Sequence, residues 1–103
     1  MAKLYIAEYG TIVGLPATAN GQVPLEPPII EQVLDFTGGR VMSNPFQQYT
    51  RMLRLHCDAI CSLIVGPNPQ SATTSNGRWA ANQTEYRGVP EGMGFVVSVI
   101  GNV

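Results

Sequence analysis

The sequence predicts an all-β protein: a single small antiparallel β-sandwich or jelly-roll-like barrel of about 7–8 short strands, with an irregular Gly/Pro-rich N-terminal arm. Three observations lead there. Eleven glycines and eight prolines among 103 residues supply many turns, and many turns in a short chain leave only short strands between them. Between the turns, apolar residues recur with a period of two, the spacing of a strand with one face on a core. No segment reads better as a helix than as a strand.

Leu4 to Tyr9 alternates Leu4, Ile6 and Glu8 with Tyr5, Ala7 and Tyr9, and Gly10 ends it. From Gly10 to Pro28 the chain carries three glycines and four prolines. So long a run without regular structure is unusual in a small domain. Either Thr11-Ile12-Val13 is a further short strand, or the segment is an arm with a task of its own. Ile29 to Thr37 reads as a strand whose core face is Ile30, Gln32, Leu34 and Phe36. Gly38-Gly39 predicts a tight turn and Arg40 to Ser43 a return strand.

The stretch Tyr49 to Gly66, YTRMLRLHCDAICSLIVG, organises the rest. Leu53, Leu55 and Cys57 fall on one side, and Arg54, His56 and Asp58 on the other, facing water or a partner. From Ala59 to Val65 both parities are apolar, as for a strand covered on both faces. Near-helical spacing of Phe46, Tyr49, Leu53, Ile60 and Ile64 offers a competing helix, but Gly and Pro crowd both ends. Two strands, or one bent strand breaking near Cys57-Asp58, fit better. An exposed loop, GPNPQSATTSNGR over 66–78, follows and contains Asn76-Gly77, a dipeptide favoured in type I′ hairpin turns. Strands over Thr84–Arg87 and Phe95–Ile100 complete the chain. It forms one domain, 1–103, with an N-terminal strand and extended arm over 1–28 and a sandwich over 29–103.

Six basic and seven acidic residues make the chain poorly charged, with a net charge of −1. A nucleic-acid binder would carry a basic stripe, and a membrane span would need about 18 consecutive apolar residues. The sequence contains neither, so neither partner is expected. No export signal is evident at the N terminus. Residues 9–25, 59–77 and 92–103 hold no charge, which points to subunit contacts in an oligomer or lattice.

Candidate chemistry reads weakly. Cys57 and Cys61 on one strand would lie about 13 Å apart, beyond disulfide reach, and read as small buried apolar residues. Zinc held by His56, Cys57 and Cys61 lacks a fourth ligand, as no other Cys or His exists. Neither a metal nor another cofactor is expected. Arg54, His56 and Asp58 read as an exposed ion pair rather than a catalytic group, and no serine sits in a nucleophile elbow. The carboxylate pairs Glu31/Asp35 and Glu85/Glu91 read as solvated, so no enzyme activity is expected. Trp79 with Tyr5, Tyr9, Tyr49 and Tyr86 could form a sugar-binding platform, though strand aromatics more often pack.

Several segments resemble small structural proteins of tailed bacteriophages. They are RLHCDAICSLIVGPNP (Arg54–Pro69), Ala72-Thr73-Thr74, RWAANQTEYRGVPEG (Arg78–Gly92), VSVI (Val97–Ile100), Phe36-Thr37 and the run after Phe46. The likeness spans roughly residues 29–103 and excludes the arm. It implies a head decoration (cement) protein, made in the bacterial host cytoplasm. Such a protein would be a small β-sandwich, commonly trimeric, that sits on the outer capsid surface of the virion and braces the major capsid protein. A low-copy neck, tail or fibre-associated component, or a carbohydrate-binding module, is the alternative. The expected interface residues are Ile12, Val13, Leu15, Val23 and Leu25 in the arm, with Arg54 and His56 on the central strand. Removing everything before Pro28 is expected to leave the sandwich folded.

Overall fold

The structure, a computed structural model, describes residues 2–10, 12–14, 22–24 and 26–102, the two short segments 12–14 and 22–24 by their backbone alone. Ten strands and no helix are found among them. They are β1 (Lys3–Tyr9), β2 (Ile12–Gly14), β3 (Gln22–Pro24), β4 (Ile30–Asp35), β5 (Val41–Met42), β6 (Met52–Cys57), β7 (Cys61–Gly66), β8 (Arg78–Trp79), β9 (Thr84–Gly88) and β10 (Val96–Gly101). Eight of them form two antiparallel four-stranded sheets, ordered β4-β1-β6-β9 and β5-β10-β7-β8. From β4 onward the chain changes sheet at every connection except β7–β8. This is the order of an eight-stranded jelly roll in which the first strand takes the place of the last. Among the described residues no helix is long and apolar enough to cross a membrane.

Alternation builds the core as the sequence predicts. Register places Leu4 beside Cys57, and Ile6 beside Leu55, across β1 and β6. Leu4, Leu53, Leu55 and Cys57 are fully buried, facing Cys61, Leu63, Val97 and Val99 of the second sheet. Each large aliphatic side chain so placed contributes roughly 1.5–3 kcal/mol. On β4 the inward parity also holds: Gln32 and Leu34 are half-buried and Phe36 is buried, whereas Ile30 at the strand's start is exposed. The break expected near Cys57-Asp58 is an arch that carries the chain from one sheet to the other.

Three expectations are corrected. Residues 40–43 do not return along β4. Val41 and Met42 pair with Val99 and Ser98 of β10, because Ser43 is locked there by reciprocal bonds with Val97. Asn76-Gly77 does not make a tight hairpin either. The connection from β7 to β8 spans residues 67–77, and Asn76 closes a turn with Thr73 through its N–H and its Oδ1. That loop is largely exposed, as expected, but it lays the fully buried Ala72 over the second sheet, where the Ala72 N–H donates to Ser98 Oγ at 2.9 Å. Hence Ser62 and Ser98, on the outward side of β7 and β10, are as buried as the core.

The third correction concerns the N terminus. β1 pairs with both β4 and β6, so it is an interior strand and the truncation before Pro28 would remove it. The arm reduces to the segment between Gly10 and Glu26, where β2 and β3 form an antiparallel hairpin that joins neither sheet.

At the arm's base, the buried Glu8 accepts the Gln47 N–H at 2.8 Å and the Thr50 hydroxyl at 2.6 Å. It thereby ties the 47–50 turn to the end of β1. Glu8→Ala would strand both donors in a buried place, at roughly 1–3 kcal/mol each. A loss of at least about 2 kcal/mol of stability in urea titration is expected. An unchanged midpoint would show that water serves these donors equally well.

Candidate functional site

The two outward sheet faces differ. The second is covered by the chain's own 67–77 loop, while the first is open. On the first, register aligns Val33, Tyr5, His56 and Thr84 in one row across the four strands, and Glu31, Ala7, Arg54 and Tyr86 in the next. Ala7, the smallest of these side chains, forms a sunken floor between Glu31 and Arg54. The result is a dish of about 370 Å³ walled by Tyr5, Glu31, Val33, Arg54, His56 and Thr84. Tyr5, Val33 and Tyr86 are each 42–53% exposed, an unusual share of apolar surface for a solvent-facing sheet.

Local bonds hold the dish in shape. His56 Nδ1 lies 2.6 Å from Thr84 Oγ1, and its ring is tilted 48° to that of Tyr5 with centroids 6.2 Å apart. At the far end Tyr9 is buried, and its hydroxyl donates to Glu26 Oε2 at 2.8 Å, fixing the arm's return. Burial, then the Glu26 carboxylate, pushes the Tyr9 hydroxyl above the usual tyrosine range.

Arg54 and His56, expected at an interface, stand side by side on this open face, Arg54 exposed and His56 half-buried. Ile12, Val13 and Val23 lie on the hairpin strands β2 and β3, their side chains outside the description; Leu15 and Leu25 lie outside the described residues. Asp58 does not join Arg54 and His56. Past the end of β6 it turns to β1, where its Oδ1 accepts the Lys3 N–H at 2.6 Å. Nor do His56, Cys57 and Cys61 converge, since His56 faces outward and both cysteines are fully buried in the core. Both thiols belong to the one core cluster, on either side of the arch. Burial, with Cys57 close by, pushes the Cys61 thiol up to about 12.

The five aromatics do not come together as a platform, and packing accounts for Trp79 and Tyr9. Trp79 is 2% exposed and sits in the core, with the Arg87 guanidinium 5.4 Å from its ring centroid. Arg87 is held there by Glu85, its Nη2 donating to Oε1 at 2.8 Å. Glu91 pairs instead with Arg51, at 3.8 Å. Thus Glu85 and Glu91 each serve a different arginine. Only Tyr5 and Tyr86 remain as exposed aromatics on the open face, with Tyr49 exposed at the arm end. Sequence spacing does not mark Glu31 and Thr84 as binding residues. Both sit at outward positions, but which outward residues share a row depends on strand order, which spacing does not encode.

Two aromatic rings, a cation, a carboxylate and an imidazole around a shallow floor suit adhesion to a polar, partly apolar surface. Comparison with protein-family models, with curated proteins and with solved structures gives no match.

Proposed function

We propose that this chain is a decoration (cement) protein of a bacteriophage head. It binds the outer shell, works as a homo-oligomer, with a trimer favoured, and stabilises contacts between neighbouring major capsid subunits. The resemblance of residues 29–103 to such proteins supports the reading. The observation that carries it is the asymmetry of the sandwich: the chain's own loop covers the middle of one outer face and leaves Met42 exposed at its edge, while the other face is left open with Tyr5, Val33 and Tyr86 in water. A face already covered at its centre has less to gain from a partner. An open one of this character gains by being covered. Contacts of modest strength, repeated over many copies, would hold a shell against internal pressure.

Mixing the protein with expanded empty capsids tests the proposal. Hundreds of copies per particle are expected to bind. Arg54→Glu combined with Tyr86→Ala should weaken attachment by at least about tenfold, as for the loss of one central aromatic or arginine anchor. The thermal midpoint should stay within a few degrees, because both side chains are exposed. A dozen copies or fewer would favour a neck or tail component. Glycan binding lost with Tyr5→Ala or Tyr86→Ala would favour a carbohydrate-binding module.

A further inference from the structure

The first sheet ends on one side at β4, an edge six residues long. Its inner side is satisfied. Phe36 N–H donates to the Ala2 carbonyl at 2.9 Å, and the register sets Leu34 against Leu4 and Gln32 against Ile6. Hydrogen-bonded and non-bonded pairs alternate along an antiparallel ladder. The main-chain groups of Gln32, Leu34 and Phe36 therefore turn toward β1, and those of Glu31, Val33 and Asp35 point away from the sheet. Among the described residues no strand pairs with that side.

Edges of this kind are ordinarily blunted by a bulky cover, a proline or a lysine. The strand itself holds no proline and no lysine, and it exposes Ile30 and Val33. What it does carry is acid, with Glu31 and Asp35 flanking Val33 on the same face. Asp35 is fixed at the rim because its Oδ1 accepts the Thr37 N–H at 3.0 Å. Lys3 lies across from Asp35 on β1 and offsets part of one charge.

These charges select the occupant. Were two copies to pair edge to edge with all three outward residues engaged, Val33 would face Val33 and each Glu31 would face an Asp35. Like charges directly opposite destabilise a strand pair. The acids thus act against self-pairing and favour a basic strand.

We infer that the free edge of β4 is a strand-addition site for an extended segment of a partner protein, in which two basic residues flank an apolar one at alternate positions. Main-chain bonds to residues 31, 33 and 35 supply the affinity, and the basic residues opposite Glu31 and Asp35 set direction and register. The site borders the dish through Glu31 and Val33, so one partner could engage both. The inference rests on the sheet edge alone and is tested on the isolated protein, so it stands or falls apart from the capsid reading.

The probe is the capped peptide Thr-Lys-Thr-Val-Thr-Arg-Thr at millimolar concentration, with Thr-Glu-Thr-Val-Thr-Asp-Thr as its acidic counterpart. Amide exchange is followed by NMR. The basic peptide is expected to slow exchange at Glu31, Val33 and Asp35 by at least about tenfold, and the acidic one to leave it unchanged. Val33→Pro removes an outward donor, which an edge strand tolerates, and should abolish the response. Glu31→Lys with Asp35→Lys should reverse the peptide preference, which keeps the test open if the proline variant does not fold. No slowing by the basic peptide, or equal slowing by both, would overturn the inference. So would protection of these amides that grows with protein concentration alone, since a second copy would then hold the edge.

Discussion

A chain carrying Leu55→Asp is expected to be unfolded in plain buffer. Leu55 is fully buried at the centre of the first sheet, opposite Ile6 on β1 and Glu85 on β9. Loss of its packing costs about 2–5 kcal/mol. A buried carboxylate without a partner adds about 3–5 kcal/mol. Together these come to about 5–10 kcal/mol, comparable with the whole stability of a small domain, about 5–15 kcal/mol. Leu55→Ala bears only the first cost and should remain folded with a lowered urea midpoint. Circular dichroism and urea titration separate the outcomes. A Leu55→Asp variant that unfolds cooperatively at the parent's midpoint would mean that Leu55 does not face the core.

Two deletions at the N terminus should behave oppositely. Removal of residues 1–28 takes away β1, with Leu4, Ile6 and the Glu8 anchor, and leaves β4 and β6 without the strand between them. That product is expected to be unfolded. Excising only residues 11–25 and closing the gap with a short Gly-rich turn should preserve the sandwich. The Ile29 N–H donates to the Glu8 carbonyl at 2.7 Å, so the two ends already lie side by side. Shortening this connection changes loop-closure entropy by only about 1 kcal/mol, and in the favourable direction. Thermal melts of the two deletions decide the matter. A folded 1–28 deletion would contradict an interior β1, and an unfolded 11–25 excision would make the hairpin part of the core. If the capsid reading holds, the excised protein should also attach to shells more weakly than the full chain, because the uncharged hairpin is the segment suited to reach a neighbour.

The sandwich was legible because its strands announce themselves locally. Leu53, Leu55 and Cys57 alternate with Arg54 and His56, and that period alone sets which side chains turn inward on β6. The apolar run after Ala59 likewise signals a strand covered twice, although the cover, Ala72 on Ser98, could not be named from it. Where the sequence misled, a local signal met a non-local competitor. Gly38-Gly39 invites a hairpin, yet residues 41–43 gain more by pairing with the distant β10, where Ser43 satisfies both groups of Val97. Trp79 invites a binding role, yet a ring that large is stabilised most by burial, and Arg87 closes over it.

The candidate site divides the same way. Periodicity determined that Arg54 and His56 point outward, that the cysteines point inward, and that the molecule is built of short strands around one core. Only the tertiary structure decided that Tyr5, Glu31, Val33, Thr84 and Tyr86 join them in two rows, that a loop covers the centre of one face and leaves the other open, and that β4 ends the sheet. The physical reason is one of range. Side-chain direction along a strand is fixed by its nearest neighbours in sequence. Strand order is fixed by which distant partners bury the most apolar surface and satisfy the most main-chain groups, and the chain as a whole settles that competition.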